Sequence, residues 1–300
     1  MPLLMDEAAK LSQEDKARGV IEEIIDRDEL FALLPFQHVN DKVFTYVREG
    51  TLSEGDFLDA YDPVPEGAAT FNEVTTKLKV LAGDVDIDKF TAAVQSGLNP
   101  QVAIQIAAKA KALGRKFRRT IVNGDSTANP KSFDGVKTLT PSAQTLVAGA
   151  NGAAVSAEML DELLDAVTLG ADVLMMRRGT WRAIRAIMRS FGGNTGDMIQ
   201  IPNFGKPIPG YDGIPVIIND YITADEVQGS ATATTSIYAL RLNEADGFHG
   251  IYGGPSAGIQ FEDIGTIQNK DASRFRVKWY SATALKATHS VARLKGILNV

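Results

Sequence analysis

Cysteine is absent from all 300 residues. That removes disulfides, thiol catalysis and most structural zinc sites, and leaves packing and association as the sources of stability. No stretch of about 18 apolar residues occurs, so no helical membrane span is expected. The N-terminus carries Asp6 and Glu7 where a secretory signal needs positive charge, and no apolar segment follows. The chain is therefore expected to be made and used in a cytoplasm. An excess of positive charge is missing too: a net charge of −6 at pH 7 argues against wrapping nucleic acid with the whole surface. A local basic patch remains compatible with it. The rest of the composition, 44% hydrophobic and 7% aromatic, describes an ordinary globular chain with one large domain or two modest ones.

The most informative segment is one that cannot build a core for itself. Phe36 to Arg48 reads as a strand broken at Asn40-Asp41, and Phe71 to Asp88 reads as strand again, ending in the alternation Asp84-Val85-Asp86-Ile87-Asp88. Between them Glu49 to Thr70 is polar and turn-rich, with Gly50, Gly55, Pro63, Pro65 and Gly67. Two strands with a long polar tip predict a projecting arm. A lone two-stranded ribbon is marginal in water, so such an arm needs another surface to lie on. Residues 11–34 read as an amphipathic helix preceding it, with Leu11, Val20, Ile21, Ile24 and Ile25 as its stripe.

Helical periodicity is strongest from Pro100 to Val122, where Val102, Ile106, Ala110, Leu113, Phe117 and Ile121 recur at three- and four-residue spacing. Asn99-Pro100 is a start signal and Asn123-Gly124 a stop. The opposite face carries Lys109, Lys111, Arg115, Lys116, Arg118 and Arg119, and no acid occurs between Asp88 and Asp125. This basic face suits phosphates or a partner's acids, or it is simply a solvated face. Residues 125–154 read as loop. Ser156 caps a helix with Met159, Leu160, Leu163, Leu164 and Val167 as its stripe. A short strand at Asp172–Met176, a helix at Thr180–Phe191, a surface loop over 192–212 and strands at Gly213–Asn219 and Ser236–Leu242 follow, an α+β unit over about 150–250. Arg274 to Arg293 reads as one long strand, its first part paired with Ile259–Ile267.

The motifs that imitate chemistry fail on context. Gly254-Pro255-Ser256-Ala257-Gly258 has the spacing of a nucleophile elbow, with Asp263 or Asp271 and then His289 downstream. An elbow joins a strand to a helix, whereas Ile259 onward reads as strand. Asp84, Asp86 and Asp88 resemble the start of a calcium loop, but Lys89 stands where glycine is required and Gln95 where glutamate is. His38, His249 and His289 are isolated, without metal-ligand spacing. No catalytic residue, cofactor or metal is assigned.

Taken in order, these pieces resemble the major capsid proteins of tailed bacteriophages, the Hong Kong 97-like family. Gly19-Val-Ile-Glu-Glu-Ile-Ile leading to Leu34-Pro35-Phe36, then Tyr46-Val-Arg-Glu-Gly, is similar to an N-terminal arm entering an extended loop. Ile121-Val-Asn-Gly-Asp-Ser and Phe133-Asp-Gly-Val resemble the sequence after the family's long spine helix. Leu174-Met-Met-Arg-Arg-Gly-Thr-Trp-Arg-Ala-Ile and Gly213-Ile-Pro-Val-Ile-Ile-Asn-Asp resemble its axial domain.

The resemblance implies an α+β capsid fold: an N-terminal arm (1–35), an extended β-hairpin loop (36–72), a peripheral domain with the spine helix (73–149 and 256–282) and an axial domain (150–255 and 283–300). It implies a structural protein rather than an enzyme, one that self-assembles into pentamers and hexamers of an icosahedral shell around packaged double-stranded DNA. Such a virion component would be assembled in the bacterial host cytoplasm. Phe57, Leu58 and Tyr61 of the loop would contact neighbouring subunits, and the basic helix face would meet the shell interior or a neighbour's acidic arm. A portal protein and a separate scaffolding protein are implied partners, with a decoration protein as a further candidate; no membrane is. The same fold builds encapsulin nanocompartments, which is the alternative reading, and a serine hydrolase through Ser256 and His289 is the distant one. Some capsids of this fold join a loop lysine to a neighbour's asparagine; here no lysine occurs between Val43 and Thr76.

Overall fold

The computed structural model describes residues 30, 33–59, 64, 66–89, 99–190, 197–199, 207–255 and 257–298. The expected N-terminal helix over 11–34 lies almost wholly outside them. In chain order the strands are β1 (Phe36–His38), β2 (Val43–Glu49), β3 (Phe71–Lys77), β4 (Lys79–Asp88), β5 (Thr145–Val147), β6 (Val173–Met176), β7 (Asp197–Ile199), β8 (Ile208–Tyr211), β9 (Ile214–Ile218), β10 (Glu226–Gln228), β11 (Ala231–Leu240), β12 (Phe248–Gly253), β13 (Gln260–Thr266), β14 (Ala272–Leu285) and β15 (Val291–Ile297). The helices are α1 (Asn99–Asn123), α2 (Val136–Leu139), α3 (Ala157–Asp165) and α4 (Arg178–Ser190).

Two sheets carry the fold. In the first, β14 is the spine: β4 pairs along one edge, while β13 and then β12 follow one another along the other, and β1 adds in parallel to β12. The second is mixed, in the order β5-β15-β11-β6-β9-β8-β7 with β10 against β11. β6 and β11 are buried on both faces, and alternation splits their side chains between two cores. Val173, Met175, Tyr238 and Leu240 enter the core shared with Leu113, Phe117 and Ile121 of α1 and Trp279 of β14. Leu174, Met176, Ile237 and Ala239 enter a second core, closed by Leu160 and Leu163 of α3 and Trp181 and Ile184 of α4.

The helices follow their stripes. From Ile106 onward, each predicted apolar position of α1 is buried. Ser156 caps α3 as predicted, its hydroxyl accepting from the Met159 amide at 3.2 Å. The cations of α1 stop short of its last turn, which contains none.

Several strand expectations need correction. Arg274–Arg293 is not one strand: a 3₁₀ turn at Thr288–Ser290 separates β14 from β15, which lie in different sheets. Ser290 fixes that corner, its hydroxyl donating to the Asp246 carbonyl at 2.9 Å. The expected loop over 192–212 contains β7 and β8, and β8 turns into β9 through Asp212 and Gly213, both at positive φ (49° and 75°). An Asp-Gly pair is a hairpin signal. Residues 125–154 include α2, a 3₁₀ turn and β5. β12 was not anticipated. Its Gly250 is a close-approach position, because a Cβ there would collide with the Phe36 ring lying across it.

The acidic alternation 84–86 is more than a wet face. Arg276 clasps Asp84 (2.7 and 2.9 Å) and Arg274 clasps Asp86 (2.7 and 2.8 Å), while Lys278 reaches Glu262 at 2.6 Å. These hydrogen bonds hold all three carboxyls below their usual range.

Candidate interaction surface

Among the described residues β2 and β3 pair only with each other, in continuous register from Val43 opposite Lys77 to Glu49 opposite Phe71. Strand alternation gives the ribbon two unlike faces. Phe44, Tyr46 and Arg48 point inward and seat its base on the end of β14. The Tyr46 hydroxyl donates to the Leu285 carbonyl at 2.5 Å. Arg48 donates to Leu285 at 2.6 Å and to Lys286 at 2.7 Å. The Lys286 ammonium lies 5.5 Å from the Phe44 ring centroid. Burial pushes the Tyr46 phenol up despite the adjacent Arg48 guanidinium. Just past β3, Lys79 at the start of β4 reaches the Pro130 carbonyl at 2.5 Å.

The large apolar side chains of the outer face and the tip are left exposed. Pairing persists one step past the strands, through Gly50 and Thr70 and the Thr51–Thr70 hydroxyls at 2.8 Å. Beyond it, Phe57 is 106% exposed, Leu58 is 42% exposed and Leu52 is 58% exposed. Phe57 and Leu58 thus present apolar surface to solvent, as a contact role requires; Tyr61 lies outside the described residues. Singly exposed apolar residues are ordinary, but a fully exposed phenylalanine on an unsupported ribbon is not.

The predicted basic face of α1 is not one surface. Lys109 turns onto β4, its side chain packed at Gly83 beside Asp84, and the Arg119 guanidinium lies 5.8 Å from the Tyr221 ring centroid. Arg115 and Lys116 are exposed, whereas Lys111 and Arg118 are half-buried and engaged.

Beneath the ribbon, His249 is fully buried, its ring edge-on to Phe44 at 6.0 Å. Burial drives its pKa from 6.5 down to about 4, against the Gly247 carbonyl and with help from the Lys286 charge. A depressed histidine pKa means the unfolded chain binds the extra proton. The stabilisation is complete above about pH 6.5 and is lost as pH falls toward 4, with about 2 kcal/mol gone at pH 5. Urea midpoints measured at pH 7.5 and 5 on the dissociated subunit should differ by that contribution, and His249→Gln should remove most of the difference. An unchanged difference in the variant would contradict this assignment.

The elbow-like sequence joins β12 to β13, strand to strand, with Gly254 at φ 102°. Ser256 lies outside the described residues. Asp263 accepts from the Gly265 amide at 2.9 Å within its own bulge, and His289 is exposed in the 3₁₀ turn. Among the described residues, no hydrogen bond or ion pair joins Asp263 or Asp271 to His289.

No protein-family model matches the chain, and no curated protein matches its sequence. Solved structures do match. A chain of the holo-SrpI encapsulin complex from Synechococcus elongatus is 18% identical, with a TM-score of 0.67 covering 89% of this chain and 86% of that one. The capsid of a native GTA particle gives 18% identity and a TM-score of 0.62, covering 89% of both chains. A chain from Mycobacterium phage Adephagia gives 15% and 0.60, again covering 89% of both. The chain has the Hong Kong 97-like capsid fold.

Proposed function

We propose that this chain is the major capsid protein of a tailed bacteriophage, a shell subunit that assembles into pentamers and hexamers around double-stranded DNA. The observation that carries the reading is the β2–β3 ribbon: a seated base and a tip with exposed apolar side chains, on a chain whose fold matches shell subunits over 89% of its length. In this account residues 1–35 are the N-terminal arm, α1 is the spine of the peripheral domain, and the second core is the axial domain. Phe57 and Leu58 bury themselves on a neighbouring copy. The protein works in the virion after assembly in the host cytoplasm, with a portal protein and a separate scaffolding protein as further partners.

An encapsulin-type compartment is the second reading, favoured by the TM-score of 0.67 to an encapsulin chain. The contents of purified particles separate the two. Nuclease-protected DNA inside supports the capsid; a protein cargo without DNA supports the compartment.

The shell is expected to hold without covalent joints. The arm has no lysine from Val43 to Thr76 to supply an amine, and the chain has no cysteine. Boiled particles on a denaturing gel should give one band near 32.2 kDa. Ladders of dimers, pentamers and hexamers that survive boiling would contradict this.

A further inference from the structure

We infer that the exposed acidic face of α3 in one copy docks on the arginine stripe of α4 in the next, a head-to-tail contact that closes rings of this chain. The inference rests on the shell reading above.

Arg178, Arg182, Arg185 and Arg189 recur at four-, three- and four-residue spacing, which places them on one face of α4. Glu158, Asp161, Glu162 and Asp165 share one face of α3 in the same way. All four acids are exposed, as are Arg178, Arg182 and Arg189. At about 1.5 Å per residue the arginine stripe runs about 16 Å and the acidic stripe about 10 Å, so the acids can cover roughly two-thirds of the arginines. None of the eight forms an ion pair with a described residue, and of the acids Asp161 alone accepts a side-chain hydrogen bond from one, the Tyr211 hydroxyl at 2.8 Å. The Arg185 Nε is shielded from solvent without an acceptor among them. Elsewhere the chain pairs its charges closely, as in Arg274–Asp86, Arg276–Asp84 and Arg293–Glu226 at 2.8 Å.

Glu158 in the first turn of α3 and Arg189 in the last turn of α4 suit their helix dipoles, but the rest of each face does not. Arg178 and Arg182 crowd the N-terminal half of α4, where the helix dipole disfavours cations. Asp161, Glu162 and Asp165 crowd the C-terminal half of α3, where it disfavours anions. Each helix sets like charges four residues apart, which is locally destabilising. An external surface of opposite charge offsets both costs, and each helix provides the surface the other lacks.

Among the described residues no ion pair joins the two stripes within one chain, although both helices close the second core and Ala154 and Val155, just before α3, line a groove along α4 with Arg182 and Arg189. A second copy therefore fits better than a nucleic acid, because it brings the complementary acids, whereas a nucleic acid would match the arginines and leave the exposed acids of α3 without a counter-charge. A contact between two different patches repeated by rotation makes rings.

Charge reversal tests it without disturbing either helix. Arg178→Glu with Arg182→Glu places anions near an N-terminus, and Glu162→Arg with Asp165→Arg places cations near a C-terminus, so both pairs agree with the helix dipoles. Each pair alone should cut particle yield by about tenfold or more, through like-charge contact, with an unchanged circular dichroism spectrum. All four substitutions in one chain should restore yield to within about threefold of wild type. Normal particles from either pair overturn the inference, as do particles that form normally but lose their nucleic acid. A quadruple variant as defective as its parents overturns it while leaving the shell reading intact. A wild-type chain that forms no assembly overturns both.

Discussion

Replacing residues 51–67 with a short Gly-Ser turn should leave a folded subunit that no longer forms particles. The subunit survives because the ribbon is held at its base, by Phe44, Tyr46 and Arg48 against β14, and not at its tip. Phe57 at the tip touches no core, and Leu58 and Leu52 are largely exposed. In a shell these side chains become the apolar anchors of a contact, where an aromatic carries more than its share of the energy. Burying Phe57 alone is worth about 2 kcal/mol per contact, and the loss repeats at every subunit. Sedimentation of the variant should show dispersed subunits, and circular dichroism should show native secondary structure. Normal shells would remove the ribbon tip from the interface; an unfolded chain would make it part of the core.

Trp279→Ala should be the most damaging single core substitution. Trp279 lies 4.2 Å from the Phe117 ring of α1 and 5.9 Å from the Phe36 ring of β1, and it is 2% exposed. It joins the long helix, the first sheet and the entry of the chain into the ribbon. Truncation leaves a cavity where three elements meet, at a cost of about 3–5 kcal/mol. That approaches the whole stability of many domains. The variant should be insoluble, or should unfold in urea well below wild type. A midpoint within experimental scatter of wild type would show that Phe36 and Phe117 collapse onto one another without cost.

The parts of this fold that could be read in the sequence are those governed by local periodicity. α1, α3 and α4 follow their apolar stripes, and β6 its short apolar run, because burial on one core imposes those spacings. The ribbon was legible from two alternating segments around a polar, glycine- and proline-rich tip. What escaped was set by distant partners. β12 reads as a glycine-broken segment, yet it is a central strand because Phe36 needs the space above Gly250. β14 and β15 read as one strand because the turn between them is fixed by Asp246, 44 residues away from Ser290 in sequence. The Asp212-Gly213 hairpin signal was present in the sequence and was hidden by the prolines at 209 and 215 on either side of it. The basic residues of α1 share a helical spacing, but a helical face is not a surface when β4 and Tyr221 lie against part of it. The arginine stripe of α4 was legible by the same periodicity as its apolar face and was overlooked because that apolar face dominated the reading.

The central claim is that this chain is a shell subunit, and the mass of the purified native assembly tests it most directly. Light scattering coupled to size-exclusion chromatography should find particles of many copies of the 32.2 kDa chain, closed and of uniform size by electron microscopy. A stable monomer or dimer as the sole species would contradict it.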